Sequence, residues 1–449
     1  MVINQNAFFH PEKLNIKLVG SNETHYELFN GRIQVDGIDV CSYITTVLVA
    51  NTMPNLKTLR ILSDDNSISL PIKHPKSHSP SSVIICISPQ FVAEQWQLFL
   101  LQVHVIRRFQ GHPHLYITSM IDTFFKLVSE YEKLEYVTID YWNRIKFYGD
   151  SEPMRHVEWR NQAGAQTDCL LQYKEVAEYI AFFDLDDVLI PSHHSTYLQE
   201  FNFQFSSDLS KSYLFYKRKV HNFKKMKHFS FDELVLEEDT KIDMGKSVVN
   251  PRRFNSTWIH FSWNVDFSTG VNVENEYIKH ILVTENSSTL AKPLRDSNIL
   301  QKDFTRVHQD FQSNILPNDF YFNIIRRCYN DIYYKKGFIQ GKLNSKCLNP
   351  EECEYPQVDG IKSYTRRALI TIGTGVIDLR TILEGAAIWR ENGCGEVATW
   401  FCVGATAWAE DWRMSDDSVT ASDEANVKSV IRMAMTRDLI WKIDKFRSK

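Results

Sequence analysis

The stretch IAFFDLDDVLIP, residues 180–191, drives four apolar residues into three acids, Asp184, Asp186 and Asp187, and then turns apolar again. Carboxylates this close, and partly withdrawn from water, repel one another unless a cation sits among them. Residues two apart on an extended strand project to the same side, so Asp184 and Asp186 are expected to share a face while Asp187 begins a turn. Oxygen ligands of this kind suit Mn2+ or Mg2+, hard ions that keep positions open for phosphate oxygens. A plain turn, with the aspartates capping the next segment or pairing with lysine, is the competing use. A calcium loop is excluded, because it needs Gly at its sixth position and Glu at its twelfth, where this chain has Leu189 and Ser195.

The elements that must position these acids alternate in type. The run VIICIS (83–88) reads as a strand covered on both faces, and residues 92–109 place Val92, Trp96, Phe99, Val103, Ile106 and Phe109 on one helical stripe. Strand 114–118, helix 121–131, strand 136–142 and a helix over 168–179 with Asp168 as N-cap follow, and the last feeds IAFFD. This β-α-β order predicts an α/β fold with a parallel sheet and ligands beyond the carboxyl ends of its strands, where the acids fall. Neither GxGxxG after the first strand nor GxxxxGK[ST] occurs, so dinucleotide and P-loop fingerprints are lacking. Residues 1–80 read as a β-rich N-terminal region ending in a Pro- and Ser-rich linker, and 346–449 as a C-terminal extension with an amphipathic last helix.

Composition narrows the function classes. With 449 residues, 43% hydrophobic, the chain is long enough for a large catalytic domain with an appendage. A net charge of −4 is too balanced for a nucleic-acid binder, although YKRKVHNFKKMKH (216–228) is a local basic run. Cys347 with Cys353, and Cys394 with Cys402, are close pairs without His partners at metal-ligand spacing. Sequons at Asn22, Asn255 and Asn286 would be usable in a secretory lumen. No apolar run reaches the roughly 18–20 residues of a membrane span, and residues 1–13 lack a signal peptide's basic and apolar regions.

Two resemblances bear on the acids. FFDLDDVL resembles the first motif of haloacid-dehalogenase-type phosphatases, which would make Asp184 a nucleophile and Asp186 a general acid/base. The later paired acids of that family end an apolar strand, and Asp416 and Asp417 in WRMSDDS do not. Several blocks in order are instead similar to glycosyltransferase family 92. These are CISPQFVAEQWQLFLLQVHVIRRFQGHPHLYITS (86–119), DCLLQYKEVAEYIAFFDLDDVLIP (168–191) and KSVVNPRRFNSTWIHF (246–261).

That resemblance implies a GT-A-like, Rossmann-type nucleotide-diphospho-sugar fold over residues 83–345, with a metal on Asp184 and Asp186. It also implies a UDP-sugar donor, by family habit galactose, and inverting transfer to a glycan on glycoprotein or glycolipid. Asp187 would orient the sugar or support the metal, and Lys246 would contact the diphosphate. A third ligand would be His260, in WIHF, or His280, which stands where the family has His-Tyr-Arg and this chain has His280-Ile281-Leu282. That departure also admits a catalytically silent sugar-binding relative. The general base stays open among Glu237, Glu238 and Asp239 in LEEDT, and Glu410 and Asp411 in WAEDW, whose tryptophans suit sugar stacking. The family implies a membrane-associated or lumenal Golgi enzyme of the secretory pathway.

Overall fold

A computed structural model describes residues 2–6, most of 16–309 and isolated pieces between 327 and 370. Cys347, Cys353, Cys394, Cys402, Asn286, Glu410, Asp411 and the last helix lie outside the described residues.

The apolar runs become the centre of a nine-stranded mixed sheet. In chain order its parts are β1 (Val83–Gln90), α1 (Trp96–Arg108), β2 (Gly111–Ile117), α2 (Asp122–Lys133), β3 (Thr138–Tyr141), α3 (Gln162–Tyr173), β4 (Tyr179–Phe183) and β5 (Asp187–Val188). Then come α4 (Tyr197–Ser206), β6 (Tyr213–Lys224), β7 (Val235–Val249), β8 (Gly270–Thr284), β9 (Lys292–Pro293) and α5 (Ser297–Gln309). The strand order is β3-β2-β1-β4-β7-β6-β8-β5, with β9 beside β7. The first four strands are parallel, with Thr138 opposite His114, Val83 opposite Gly111 and Tyr179 opposite Val83. At β7 the direction reverses, and Ile180 faces Val249 in an antiparallel pair.

β1 shows why its sequence is continuously apolar. Val83, Ile85 and Ile87 enter a core with Phe99, Phe124, Tyr131 and Phe201. Ile84 and Cys86 enter a second core, with Cys169, Leu170 and Tyr173 of α3. A strand buried on both faces has no polar side to alternate with.

The helix before the acids lies six residues earlier than its sequence suggests, at Gln162–Tyr173 rather than 168–179. Asp168 is therefore a mid-helix residue, and its carboxylate accepts from Tyr116 Oη at 2.7 Å and Gln172 Nε2 at 2.8 Å. Gln162, Gln166 and Thr167 are buried polar residues, so the helix has no clean apolar stripe to reveal its start. Three consecutive left-handed residues, Trp159, Arg160 and Asn161 (φ 48°, 56° and 61°), precede it. Thr45 Oγ1 steadies them by donating to Asn161 Oδ1 at 2.9 Å.

The N-terminal region forms two antiparallel sheets, one of strands Val2–Asn6, Tyr43–Val49 and Arg32–Asp36, the other of Tyr26–Phe29, Ile16–Ser21, Thr58–Ser63 and Asn66–Leu70. The linker that follows is packed rather than free: Lys76 N donates to Gln172 O at 2.8 Å, and its Nζ stands 5.0 Å from the Tyr173 ring centre. Two late strands return to the main fold, Ser363–Thr365 onto Ser119–Ile121 and Arg367–Ile370 onto Arg144–Phe147.

Candidate metal centre

β4 ends at Phe183, and the acids occupy a turn rather than an extended strand, closed by Asp187 N donating to Asp184 O at 3.1 Å. Asp184 N donates back to Asp187 Oδ2 at 3.1 Å. The strand parity expected for Asp184 and Asp186 is thereby lost. Asp186 and Asp187 instead meet His280 of β8, which is the strand partner of Asp187. One ligand atom from each of the three lies within 4.8 Å of the others.

Asp184 turns the other way. Its Oδ2 lies 2.8 Å from Lys246 Nζ and 3.5 Å from Arg218 Nη1, and its Oδ1 accepts from Gln162 Nε2 at 2.8 Å. Lys246 is fully buried and also donates to Ile259 O at 3.0 Å, so its ammonium faces protein rather than solvent. Gly245 lets this strand pass: a Cβ there would stand 1.9 Å from Tyr216 O. His260 donates through Nδ1 to Gly245 O at 2.9 Å and stays outside the Asp186–Asp187–His280 cluster.

Three carboxylates stand against Lys246, Arg218 and the imidazole of His280. Burial pushes Asp186 up to about 6, against the attraction of His280 and with repulsion from Asp187 and Asp184. Burial would also raise Asp187 and Asp184, but Arg218 and His280 hold the first, and Lys246 the second, below the usual carboxylate range. His280 donates through Nδ1 to Asp187 Oδ1 at 3.2 Å and lies 3.7 Å from Asp186. Burial would lower it, yet the carboxylates of Asp186 and Asp187 raise it to about 8. Burial and the charges of Lys246 and Arg218 hold His260 down, at about 3. Two carboxylates and an imidazole that gives up its proton on binding offer the oxygen and nitrogen ligands of a Mn2+-class ion.

Two expected outcomes follow from these charges. His280 binds its proton more tightly folded, at about 8, than at its ordinary 6.5. The metal-free protein therefore has this contribution in full below pH 6.5 and loses it, about 2 kcal/mol, as pH rises through 8. Urea unfolding at pH 6.5 and 9 will show the loss in the wild type and not in His280→Gln. Lys246→Met leaves Asp184 and Ile259 O without their ammonium and will cost about 3 kcal/mol by the same assay.

The general-base candidates sit apart from the acids. Glu237, Glu238 and Asp239 are on β7 where it pairs with Asn222 and His221 of β6, three strand spacings (about 14 Å) from β5. Glu238 is engaged by Lys219 and stands 3.8 Å from His221 Nε2. The functional side chains that sequence reasoning missed are Arg218 and Gln162. Arg218 did leave a signal: it shares strand parity with the buried Tyr216 and Val220, while Lys217 and Lys219 alternate outward. Gln162 left none.

An α/β sheet with an acidic turn at a strand's carboxyl end is compatible with a glycosyltransferase, and the chain belongs to glycosyltransferase family 92. The model of that family matches residues 81–316. A Caenorhabditis elegans protein described as a glycosyltransferase family 92 protein is 40% identical over 393 residues, 81% of this chain and 78% of its own. A second from the same organism is 32% identical over 405 residues, 80% and 78% of the two chains. Family membership sets the phosphatase reading aside. Among solved structures, S. aureus TarS in complex with UDP-GlcNAc aligns with 57% of this chain and 74% of its own, at 9% identity. Its TM-score of 0.24 is too slight to carry an argument.

Proposed function

We propose that this chain is a metal-dependent, inverting glycosyltransferase with a GT-A-like fold that moves a sugar, galactose by family habit, from UDP to a glycan hydroxyl. The observation that carries the reading is the Asp186–Asp187–His280 cluster at the carboxyl edge of the sheet. These three side chains would hold the ion, which supplies Lewis-acid stabilisation of the departing diphosphate. The chain's own residues set up the rest. Gln162 and Lys246 fix Asp184, and Gln102 Nε2 donates to Asp187 O at 2.7 Å, so the acid turn is rigid before the donor arrives.

Inversion needs one displacement: the acceptor oxygen bonds to the anomeric carbon, the bond to diphosphate breaks, and the hydroxyl proton passes to a carboxylate. That carboxylate stays unassigned among the candidates above. Trp258, Phe261 and exposed Phe267 form an edge-to-face group next to His260, a surface suited to an acceptor's sugar ring.

Glycan acceptors on glycoprotein or glycolipid, and a site of action in the secretory pathway, are part of the same proposal. The buried Cys86–Cys169 disulfide supports an oxidising compartment. No helix among the described residues is long and apolar enough to cross a membrane. The test is calorimetric titration of UDP-galactose with Mn2+ and again with EDTA. Binding that EDTA removes supports the donor site, and heat-silent titrations under both conditions sink it. Binding without transfer to any glycan would favour a silent relative, the reading that Ile281 and Leu282 motivate.

A further inference from the structure

Arg218 occupies an unusual place for a cation in a site built to take one. Its Nη1 lies 3.3 Å from Asp187 Oδ1, the same oxygen that His280 Nδ1 approaches at 3.2 Å, and 3.5 Å from Asp184 Oδ2. Nε donates to Met244 O at 2.6 Å, fixing the guanidinium plane. Nη2 has no partner among the described residues. The side chain keeps 12% of its surface exposed, while Lys246, the other basic side chain on Asp184, keeps none. Of the two, Arg218 is therefore the one with a free edge toward solvent.

We propose that Arg218 is a place-holder: it neutralises Asp187 in the empty site and passes to the donor's diphosphate when metal and nucleotide sugar bind together. The inference rests on the reading of the acid cluster as a divalent-ion site. Its physical basis is competition for one carboxylate oxygen. A guanidinium and a divalent ion cannot both neutralise Asp187 Oδ1 without repelling one another. A diphosphate resolves the conflict, since a planar guanidinium pairs with phosphate oxygens through two parallel N–H bonds, and Nη2 is already unengaged. Metal and donor then bind cooperatively, because each removes an obstacle to the other.

The test is calorimetric titration of Mn2+ into the full chain, alone and with saturating UDP, for the wild type, Arg218→Gln and Arg218→Lys. In the wild type UDP is expected to tighten Mn2+ binding by on the order of tenfold or more. In Arg218→Gln, Mn2+ alone binds more tightly than in the wild type, and the tightening by UDP shrinks by on the order of tenfold. Arg218→Lys keeps the charge and loses the fork, so Mn2+ alone binds as in the wild type while the UDP effect falls. It carries the test if Arg218→Gln does not fold.

Mn2+ binding that UDP tightens equally in the wild type and both variants overturns the proposal and leaves Arg218 a fixed counter-ion. A wild type that binds no Mn2+ with or without UDP overturns the metal reading itself, and the place-holder role with it. The two failures are therefore distinguishable.

Discussion

Asp186→Asn will reduce Mn2+-dependent binding of UDP-galactose by more than about a hundredfold, exceeding the ten- to hundredfold loss typical of an outer-shell partner. The same substitution will stabilise the metal-free protein. Asp186 is held at about 6 against an ordinary 3.8, so its ionised form is disfavoured in the fold. An acid with a raised pKa favours the folded state most below pH 3.8, and the wild type loses that advantage as pH climbs through 6. Asparagine carries no charge to repel Asp184 and Asp187, and the gain at neutral pH is about 1–3 kcal/mol. Calorimetry for binding and urea unfolding at pH 7 in EDTA check the two halves. A variant that loses binding and stability together would show Asp186 to be a structural residue. Lost binding with gained stability is the signature of charges gathered for a ligand rather than for the fold.

The second large effect concerns Cys86 and Cys169, joined with Cα atoms 6.1 Å apart across a sequence separation of 83. The bond ties β1 to α3, and both cysteines are fully buried. Closing a loop of this length removes about 4–5 kcal/mol of unfolded-state entropy in the chain-entropy picture. The double substitution Cys86→Ala, Cys169→Ala is expected to lower stability by that amount in denaturant unfolding. The site will feel it, because α3 also carries Gln162, which donates to Asp184 Oδ1. Mn2+-dependent donor binding by the double variant should weaken even where the chain remains folded. Undiminished stability would mean that packing of Ile84, Leu170 and Phe182 alone holds helix to sheet.

The acids themselves were legible. Four apolar residues running into DLDD read as a buried strand delivering carboxylates to its end, and Tyr179–Phe183 does so, while the competing use, a turn with an aspartate paired to lysine, is realised at Asp184. The order of strands and helices from 83 to 142 was legible for the same reason, since apolar period reports which faces are covered. The start of α3 was not, because burial of Gln162, Gln166 and Thr167 removes the apolar stripe by which a helix shows itself. The Cys86–Cys169 pair was equally hidden: separation along the chain carries no information about which cysteines a sheet and its crossover helix bring together.

By itself the sequence determined the composition of the site, an excess of carboxylates with histidines and basic residues downstream. It also carried the blocks that mark family 92. Only the tertiary structure decided which partner each acid receives. A four-residue turn sends Asp184 to Lys246, and the antiparallel pairing of β5 with β8 brings His280 to Asp187. The physical reason is that strand parity fixes direction only while the chain stays extended. Once the backbone turns, a carboxylate's charge, and so its chemistry, is set by neighbours from distant strands, as Arg218 (31 residues from Asp187) and His280 (93 residues) show.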